Sequence, residues 1–355
     1  MDTEYFYWDE KSGYRSEDLD RIGQILRNGG LVAFPTETVY GLGGNGLNPD
    51  ASGRIYRAKG RPSDNPLILH ISRLEELSPI VVEISPLAKK LMKAFWPGPL
   101  TLIFKKSEKV PYTTTGGLDT VAVRMPEHRG ARQLIEAAGV PIAAPSANTS
   151  GRPSPTTAAH VKEDLEGKID AIVDGGSVGI GFESTIIDVT EDIPVILRPG
   201  YITKEMAEEV VGEVRMDPGL LGRDASVRPK APGMKYRHYA PKAKMTVYDG
   251  DMELVIAKIN EMAASYESEK VGILATEESR ESYSCGQVVT AGSRKKHTIG
   301  EGLYGALRQF DRLGVEVIFS ESFSTEDKSE AIMNRLLKAA GQNIIYVGSK
   351  KDGNS

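Results

Sequence analysis

Apolar residues recur along the first part of the chain with two different spacings. Over residues 16–29 they fall at Leu19, Ile22, Ile25 and Leu26, one face of a helix, with Ser16 as its N-cap, acids in the first turn and Gly29 as its stop. Short, nearly continuous apolar runs predict strands at 31–34, 67–71, 100–104, 120–124, 141–144, 171–173, 184–189 and 195–197. Helical spacing predicts helices at 49–59, 85–95, 130–138, 156–165 and 203–211. Because strands and helices mix without a regular βαβ alternation, the expected fold class is α/β with a mixed, twisted sheet. From 216 to 242 the periodicity dissolves into Gly, Pro, Arg, Lys and Tyr, the composition of a linker. Beyond it, short apolar runs at 244–248, 271–274, 287–290, 315–319 and 344–347 alternate with helical stretches near 252–264, 301–313 and 330–340. That alternation predicts a second, smaller open α/β (Rossmann-like) domain with a largely parallel sheet.

A chain of 355 residues agrees with two domains. Hydrophobic content of 40% with 26% charged residues is that of a soluble globular protein, and no run is apolar for long enough to span a bilayer. The start, Met1-Asp-Thr-Glu, lacks a basic and then apolar leader, so a cytoplasmic location is expected, with no membrane partner. The lone Cys285 forms no internal disulfide, and the five histidines lie too far apart in sequence to suggest a zinc site. A metal should therefore arrive with a substrate. The net charge of −5 does not favour long-range attraction to nucleic acid, although a local basic groove stays compatible with it.

Against that acidic background, the run Arg57-Ala-Lys-Gly-Arg-Pro-Ser-Asp-Asn-Pro-Leu-Ile-Leu-His70 concentrates cations around one glycine. Lys59 and Arg61 are positioned to converge on one phosphate or carboxylate, while Pro62 and Pro66 stiffen the entry into the next strand. By itself the run also reads as a solvated helix end. Pro35-Thr-Glu-Thr-Val-Tyr-Gly-Leu-Gly43 sets hydroxyls and a carboxylate at a strand end, before glycines that would let backbone approach a small polar ligand; an ordinary turn is the alternative. Neither a G-x-G-x-x-G fingerprint nor a P-loop is present. A strand of small residues at 140–144 delivers Ser146, Asn148, Ser150, Arg152 and Ser154 into a loop suited to phosphate oxygens, unless it is a plain Ser/Pro surface loop. Arg124 ends an apolar strand, where a cation is costly to bury unless it meets an anion. Glu183-Ser-Thr-Ile-Ile-Asp188 and Arg198-Pro-Gly200 add further strand-end polar groups. With no Ser-His-Asp order, nucleophile elbow or paired carboxylates, the chemistry points to transfer among anions by positioning and charge.

Together these runs resemble the Sua5/YrdC/YwlC family of threonylcarbamoyl-AMP synthases, in its two-domain Sua5 form. The carrying motifs are Phe34-Pro-Thr-Glu-Thr-Val-Tyr-Gly-Leu42, Lys59-Gly-Arg-Pro-Ser-Asp-Asn-Pro-Leu67, Trp96-Pro-Gly-Pro-Leu-Thr101, Val121-Ala-Val-Arg-Met-Pro126, Ala144-Pro-Ser-Ala-Asn148, Glu183-Ser-Thr-Ile186, Arg198-Pro-Gly200 and Ala231-Pro-Gly-Met-Lys-Tyr-Arg-His-Tyr-Ala-Pro241. The resemblance implies a YrdC-like catalytic domain over 15–212, a linker or lid over 213–242 and a Sua5 C-terminal domain over 243–350. It implies synthesis of L-threonylcarbamoyladenylate from L-threonine, bicarbonate or CO₂ and ATP, with release of pyrophosphate. The product would pass to a separate transferase complex for t6A modification of tRNA; a weak direct tRNA contact is left open. Lys59, Arg61 and Arg124 carry over as catalytic residues. Thr38, His70, Arg124, Ala144 and Ser184 carry over as the threonine site, and Lys59, Arg61, Asn65, Thr120, Ser146, Ser154, Arg198, Tyr236, His238 and Tyr239 as the ATP site. Mg²⁺ would come with ATP, with no prosthetic group and no metal held by the protein. Two other readings are a tRNA-gripping module, disfavoured by the lack of basic runs interleaved with aromatics, and a hydrogenase-maturation carbamoyl transferase, whose zinc-finger Cys pairs are missing.

Overall fold

The computed structural model describes residues 2–220, 231–232, 238–324 and 328–348. Two units divide the chain: residues 1–150 with 154–236, and residues 151–153 with 237–355.

The strands of the first unit are β1 (Glu4–Tyr7), β2 (Val32–Phe34), β3 (Gly41–Asn45), β4 (Ile68–His70), β5 (Leu100–Lys105), β6 (Thr120–Arg124), β7 (Ile142–Ala143), β8 (Ala171–Asp174), β9 (Thr185–Asp188), β10 (Val195–Arg198) and β11 (Arg215–Met216). They form one mixed sheet in the order β1-β8-β2-β3-β7-β4-β6-β5-β9-β10-β11. Parallel pairs such as β4–β6 and β5–β9 stand beside antiparallel ones such as β5–β6 and β4–β7, as the irregular element order predicts. Its helices are α1 (Ser16–Arg27), α2 (Pro49–Lys59), α3 (Pro86–Phe95), α4 (Arg129–Ala138), α5 (Ala158–Leu165) and α6 (Lys204–Val211). Helix α2 begins where Asn48 accepts from the N–H groups of Asp50 and Ala51 and Pro49 presets the first turn. Helix α1 departs from its expected cap. Ser16 is its first helical residue, and the extended residue before it is Arg15, which pairs with Asp18 at 2.8 Å.

Three strands were not legible as apolar runs, among them the two-residue β11 at the start of the stretch read as a linker. β1 is an edge strand with Tyr7 exposed, paired along β8. β3 is a glycine-rich strand where the sequence suggests a turn open to a ligand. A Cβ on Gly43 would lie 2.7 Å from the Phe34 ring and 2.8 Å from the Ile142 side chain, so protein neighbours fill the space the glycines leave.

Alternation along the central strands sorts the two faces of this sheet. Leu69, Leu102, Val121, Val123, Ile187 and Ile196 enter the main core. Ile68, Ile103, Ala122, Ile186 and Leu197 form a smaller apolar floor on the other face, and Ala231 packs on it, fully buried. By the same two-residue period, His70, Thr101 and Arg124 belong to the floor side.

In the second unit, β12 (Lys244–Gly250), β13 (Val271–Ala275), β14 (Gln287–Thr290), β15 (Val317–Glu321) and β16 (Ile344–Val347) form an all-parallel sheet in the order β14-β13-β15-β12-β16. Helices α7 (Met252–Ala263), α8 (Ile299–Leu313) and α9 (Ser329–Ala339) connect them. This is the expected open α/β class, with a strand order that differs from the common dinucleotide-binding one. β15 runs two residues past its apolar stretch because the buried Glu321 carboxylate is held by Tyr283 Oη at 2.8 Å, by Ser279 Oγ and by Arg294 at 3.2 Å. Arg152, placed by the sequence among the phosphate donors, pairs with Asp311 at 3.5 Å in this unit.

Candidate active site

Arg124 is the last residue of β6, beside His70 of β4 and Thr101 of β5 in the sheet register. It is 4% exposed. Its Nε donates to the Gly98 carbonyl at 3.3 Å, Nη1 to Thr38 Oγ1 at 2.9 Å and Nη2 to Glu37 Oε1 at 2.5 Å. The anion that a buried strand-end arginine requires is thus supplied by the protein itself, from the loop after β2. Burial alone would raise the Glu37 carboxyl, but the guanidinium beside it brings its pKa below the ordinary value. Thr36 Oγ1 lies 2.7 Å from the Val39 carbonyl and 2.9 Å from Thr38 Oγ1, which in turn accepts from Arg124.

His70 is buried, with Nδ1 3.2 Å from the Ile68 carbonyl. Burial first, and the charge of Arg124 second, push its pKa down to about 3, so the ring is neutral. Ala144 lies next to it: its N–H donates to the Ile68 carbonyl at 2.9 Å, and Ile142 is opposite His70 in the β4–β7 pair.

Lys59 and Arg61 flank Gly60, whose left-handed conformation (φ 61) ends α2. The two cations hold different loops. Lys59 Nζ donates to the carbonyls of Ser146 and Asn148, each at 2.5 Å, while Arg61 donates to Asn65 Oδ1 at 2.7 Å and to the Pro66 carbonyl at 2.9 Å. Ser146 bridges to Gly41 of β3, and its hydroxyl donates to Asn148 Oδ1 at 2.5 Å, so the small-residue loop is braced from both sides. Thr120 stands at the other end of β6 from Arg124, on the same face and about 13 Å away at the usual rise per residue.

The third group surrounds Ser184. Its Oγ lies 2.7 Å from Thr101 Oγ1, and Arg198 grips it twice, Nε to the carbonyl at 3.1 Å and Nη2 to Oγ at 3.2 Å. Nη1 of Arg198 reaches the carbonyl of Pro232 at 3.5 Å. Ser154 donates to Glu183 Oε1 at 2.6 Å, and the carbonyls of Glu37 and Thr38 accept from Ile180 and Gly181, closing the ring between this group and the Arg124 corner. His238 and Tyr239 fall in the second unit, where Tyr239 stacks on Tyr304 at 5.2 Å; Tyr236 lies outside the described residues. Among the described residues, no group of three or more His, Cys, Asp or Glu could hold a metal ion, and no helix is long and apolar enough to cross a membrane.

A family model described as "Telomere recombination", that of Sua5, YciO and YrdC, matches residues 24–200, and one described as "Threonylcarbamoyl-AMP synthase, C-terminal domain" matches residues 202–341. Threonylcarbamoyl-AMP synthase of Pyrococcus abyssi is 52% identical over 91% of this chain and 94% of its own length. The chain belongs to the Sua5 family. The Bacillus subtilis threonylcarbamoyl-AMP synthase is 48% identical over 97% of this chain and all of its own. A crystal structure of Pyrococcus abyssi Sua5 complexed with L-threonine superposes with a TM-score of 0.92 at 49% identity, covering 98% of this chain and all of that one.

In this Sua5-family chain, His70, Arg124, Thr120 and Ser184 lie on the floor side of the sheet, Lys59 and Arg61 hold the loops around it, and His238 and Tyr239 belong to the second unit. Glu37, Thr101 and Glu183 each touch a named residue directly. Glu37 and Glu183 lie inside quoted motifs, and their charge beside an anion site was the available signal. Thr101 carried none beyond its place in β5.

Proposed function

We propose that the protein synthesises L-threonylcarbamoyladenylate from L-threonine, bicarbonate or CO₂ and ATP, releasing pyrophosphate, and water where bicarbonate is the carbon donor, for t6A modification of tRNA. The observation that carries this reading is a sheet face with Arg124, His70 and Ser184 at one end, Thr120 at the other and an apolar floor of Ile68, Ile103 and Ala122 between them. Such a surface suits an amino acid placed end to end with a nucleotide. Threonine sits at Arg124, near Thr38, His70, Ala144 and Ser184. ATP extends past Ser146, Ser154 and Arg198 toward Lys59, Arg61, Asn65 and Thr120.

The amine of threonine, once unprotonated, attacks the carbon of CO₂ with loss of a proton, or of bicarbonate with loss of water, to give a carbamate, and a carbamate oxygen then attacks the α-phosphorus in line with departing pyrophosphate. Lys59, Arg61, Arg124 and Arg198 offset the charge of three anionic reactants in a largely buried site. The ATP-side groups are cations, hydroxyls and an amide, a donor set that fits phosphate oxygens better than a metal. Mg²⁺ would therefore be held by the triphosphate, where it screens charge. The stretch read as a lid, 213–242, lies partly outside the described residues, which within it are 213–220, 231–232 and 238–242. Ala231 packed on the floor and Pro232 held by Arg198 support this role, since a passive tether would not need to dock there. The product then goes to a separate transferase complex in the cytoplasm.

Mass-spectrometric detection of threonylcarbamoyl-AMP from the purified protein with ATP, threonine and bicarbonate tests the proposal. Pyrophosphate release that does not depend on threonine would refute it.

A further inference from the structure

The Arg124 corner carries a carboxylate that an anion site by itself does not explain. Three donors of the guanidinium are used within the protein, one of them by Glu37, and each terminal nitrogen keeps one further N–H for a ligand. Glu37 is an acceptor only: Oε1 takes Arg124, Oε2 takes the N–H of His128 at a long 3.4 Å, and the backbone N–H groups of Glu37 and Glu127 also favour its charged form. Thr38 Oγ1 accepts from Arg124 and shares a hydrogen bond with Thr36 Oγ1; with its hydrogen turned to Thr36 it keeps one lone pair for a ligand. One side of the corner therefore offers donors and the other offers acceptors, with a cation and an anion 2.5 Å apart. An α-amino acid presents the complementary pattern, a carboxylate and an ammonium on adjacent bonds. The other side chains assigned to threonine, those of His70, Ala144 and Ser184, supply no negative charge, so without Glu37 the ammonium would be buried uncompensated.

We propose that Glu37 is the residue that reads the α-ammonium of threonine, with Thr38 Oγ1 as second acceptor, while Arg124 takes the carboxylate. This rests on the placement of threonine at Arg124 given above. The role is recognition rather than proton removal, because a carboxylate held acidic by Arg124 is a weak base toward an α-ammonium. A second consequence is selection: 3-hydroxybutanoate, which is threonine without its amine, satisfies Arg124 but leaves Glu37 unmatched.

Glu37→Gln tests the assignment in the full-length protein, because the amide oxygen can still accept from Arg124 while the charge is gone. Product formation yields the KM for threonine, and inhibition by 3-hydroxybutanoate of matching hydroxyl configuration yields its inhibition constant. The expected result is a threonine KM raised by about 10- to 100-fold, kcat held within about 3-fold and an inhibition constant essentially unchanged. If the substitution weakens both ligands by the same factor, Glu37 only props Arg124 and the proposal is overturned. It is also overturned if neither constant moves. Arg124→Leu separates this from the underlying placement. A variant that keeps its threonine KM puts threonine elsewhere and removes both readings, whereas loss in Arg124→Leu with none in Glu37→Gln removes only this one.

Discussion

Replacing Arg124 with leucine should damage stability and threonine binding through the same two atoms. The side chains of Arg124 and Glu37 are 5% and 12% exposed, so deleting the cation strands a carboxylate in a mostly dry corner. Breaking a buried pair from one side typically costs about 3–5 kcal/mol. The lower end is expected here, because without Arg124 burial dominates and the Glu37 carboxyl rises until it takes a proton. A folded-state pKa raised in this way gives stability that is present at low pH and lost as pH rises, so the deficit of the variant should shrink toward acid. Adding Glu37→Gln to Arg124→Leu removes the stranded charge and should recover roughly half of the loss. Urea unfolding reads the midpoints, and calorimetry with threonine and with ATP reads binding. Threonine affinity should stay lost in both variants while ATP affinity changes little. The reasoning fails if the single variant is within about 0.5 kcal/mol of the parent protein, or if the double variant is no more stable than the single.

Arg61→Ala should lower ATP affinity by about 10- to 100-fold, since it removes a cation and frees the turn at Asn65 and Pro66; unchanged ATP binding would take Arg61 out of the site. Serine should be a poor substrate rather than an excluded one, because one methyl against Ala144 and His70 discriminates by about 1–3 kcal/mol; equal kcat/KM values would remove that pocket. Ala231→Arg, at a fully buried position on the floor, should leave the circular dichroism of the fold intact and cut product formation sharply; full activity would mean that docking of the linker is dispensable. Burial and Arg124 lower the His70 pKa from 6.5 to about 3, so its contribution to stability is present above pH 6.5 and declines as pH falls, by up to about 1.4 kcal/mol per unit. Unfolding measured from neutral pH down to about pH 5 should show that decline in the parent protein and a shallower one in His70→Gln.

Much of the molecule follows from local physics written along the chain. The apolar run predicted at 120–124 is a strand in the structure with the same ends, and Asn48-Pro49 starts a helix that stops at Gly60 as capping requires. The parallel character of the second sheet follows from its alternation of strands and helices. These features depend on neighbours within a few residues, which the sequence displays directly. Strand β3 was hidden because glycine has low strand propensity in isolation; its place depends on Phe34 and Ile142 closing over the missing side chains. Glu321 lies past the predicted strand 315–319, and its place in β15 depends on Tyr283 and Arg294, which the fold brings to it. The pairing of Arg124 with Glu37 joins residues 87 apart, and Ser184 meets Thr101 across 83. No periodicity encodes such contacts, since they depend on which strands become neighbours and in what register. Residue types could say that a buried arginine needs an anion; only the folded sheet could say which one.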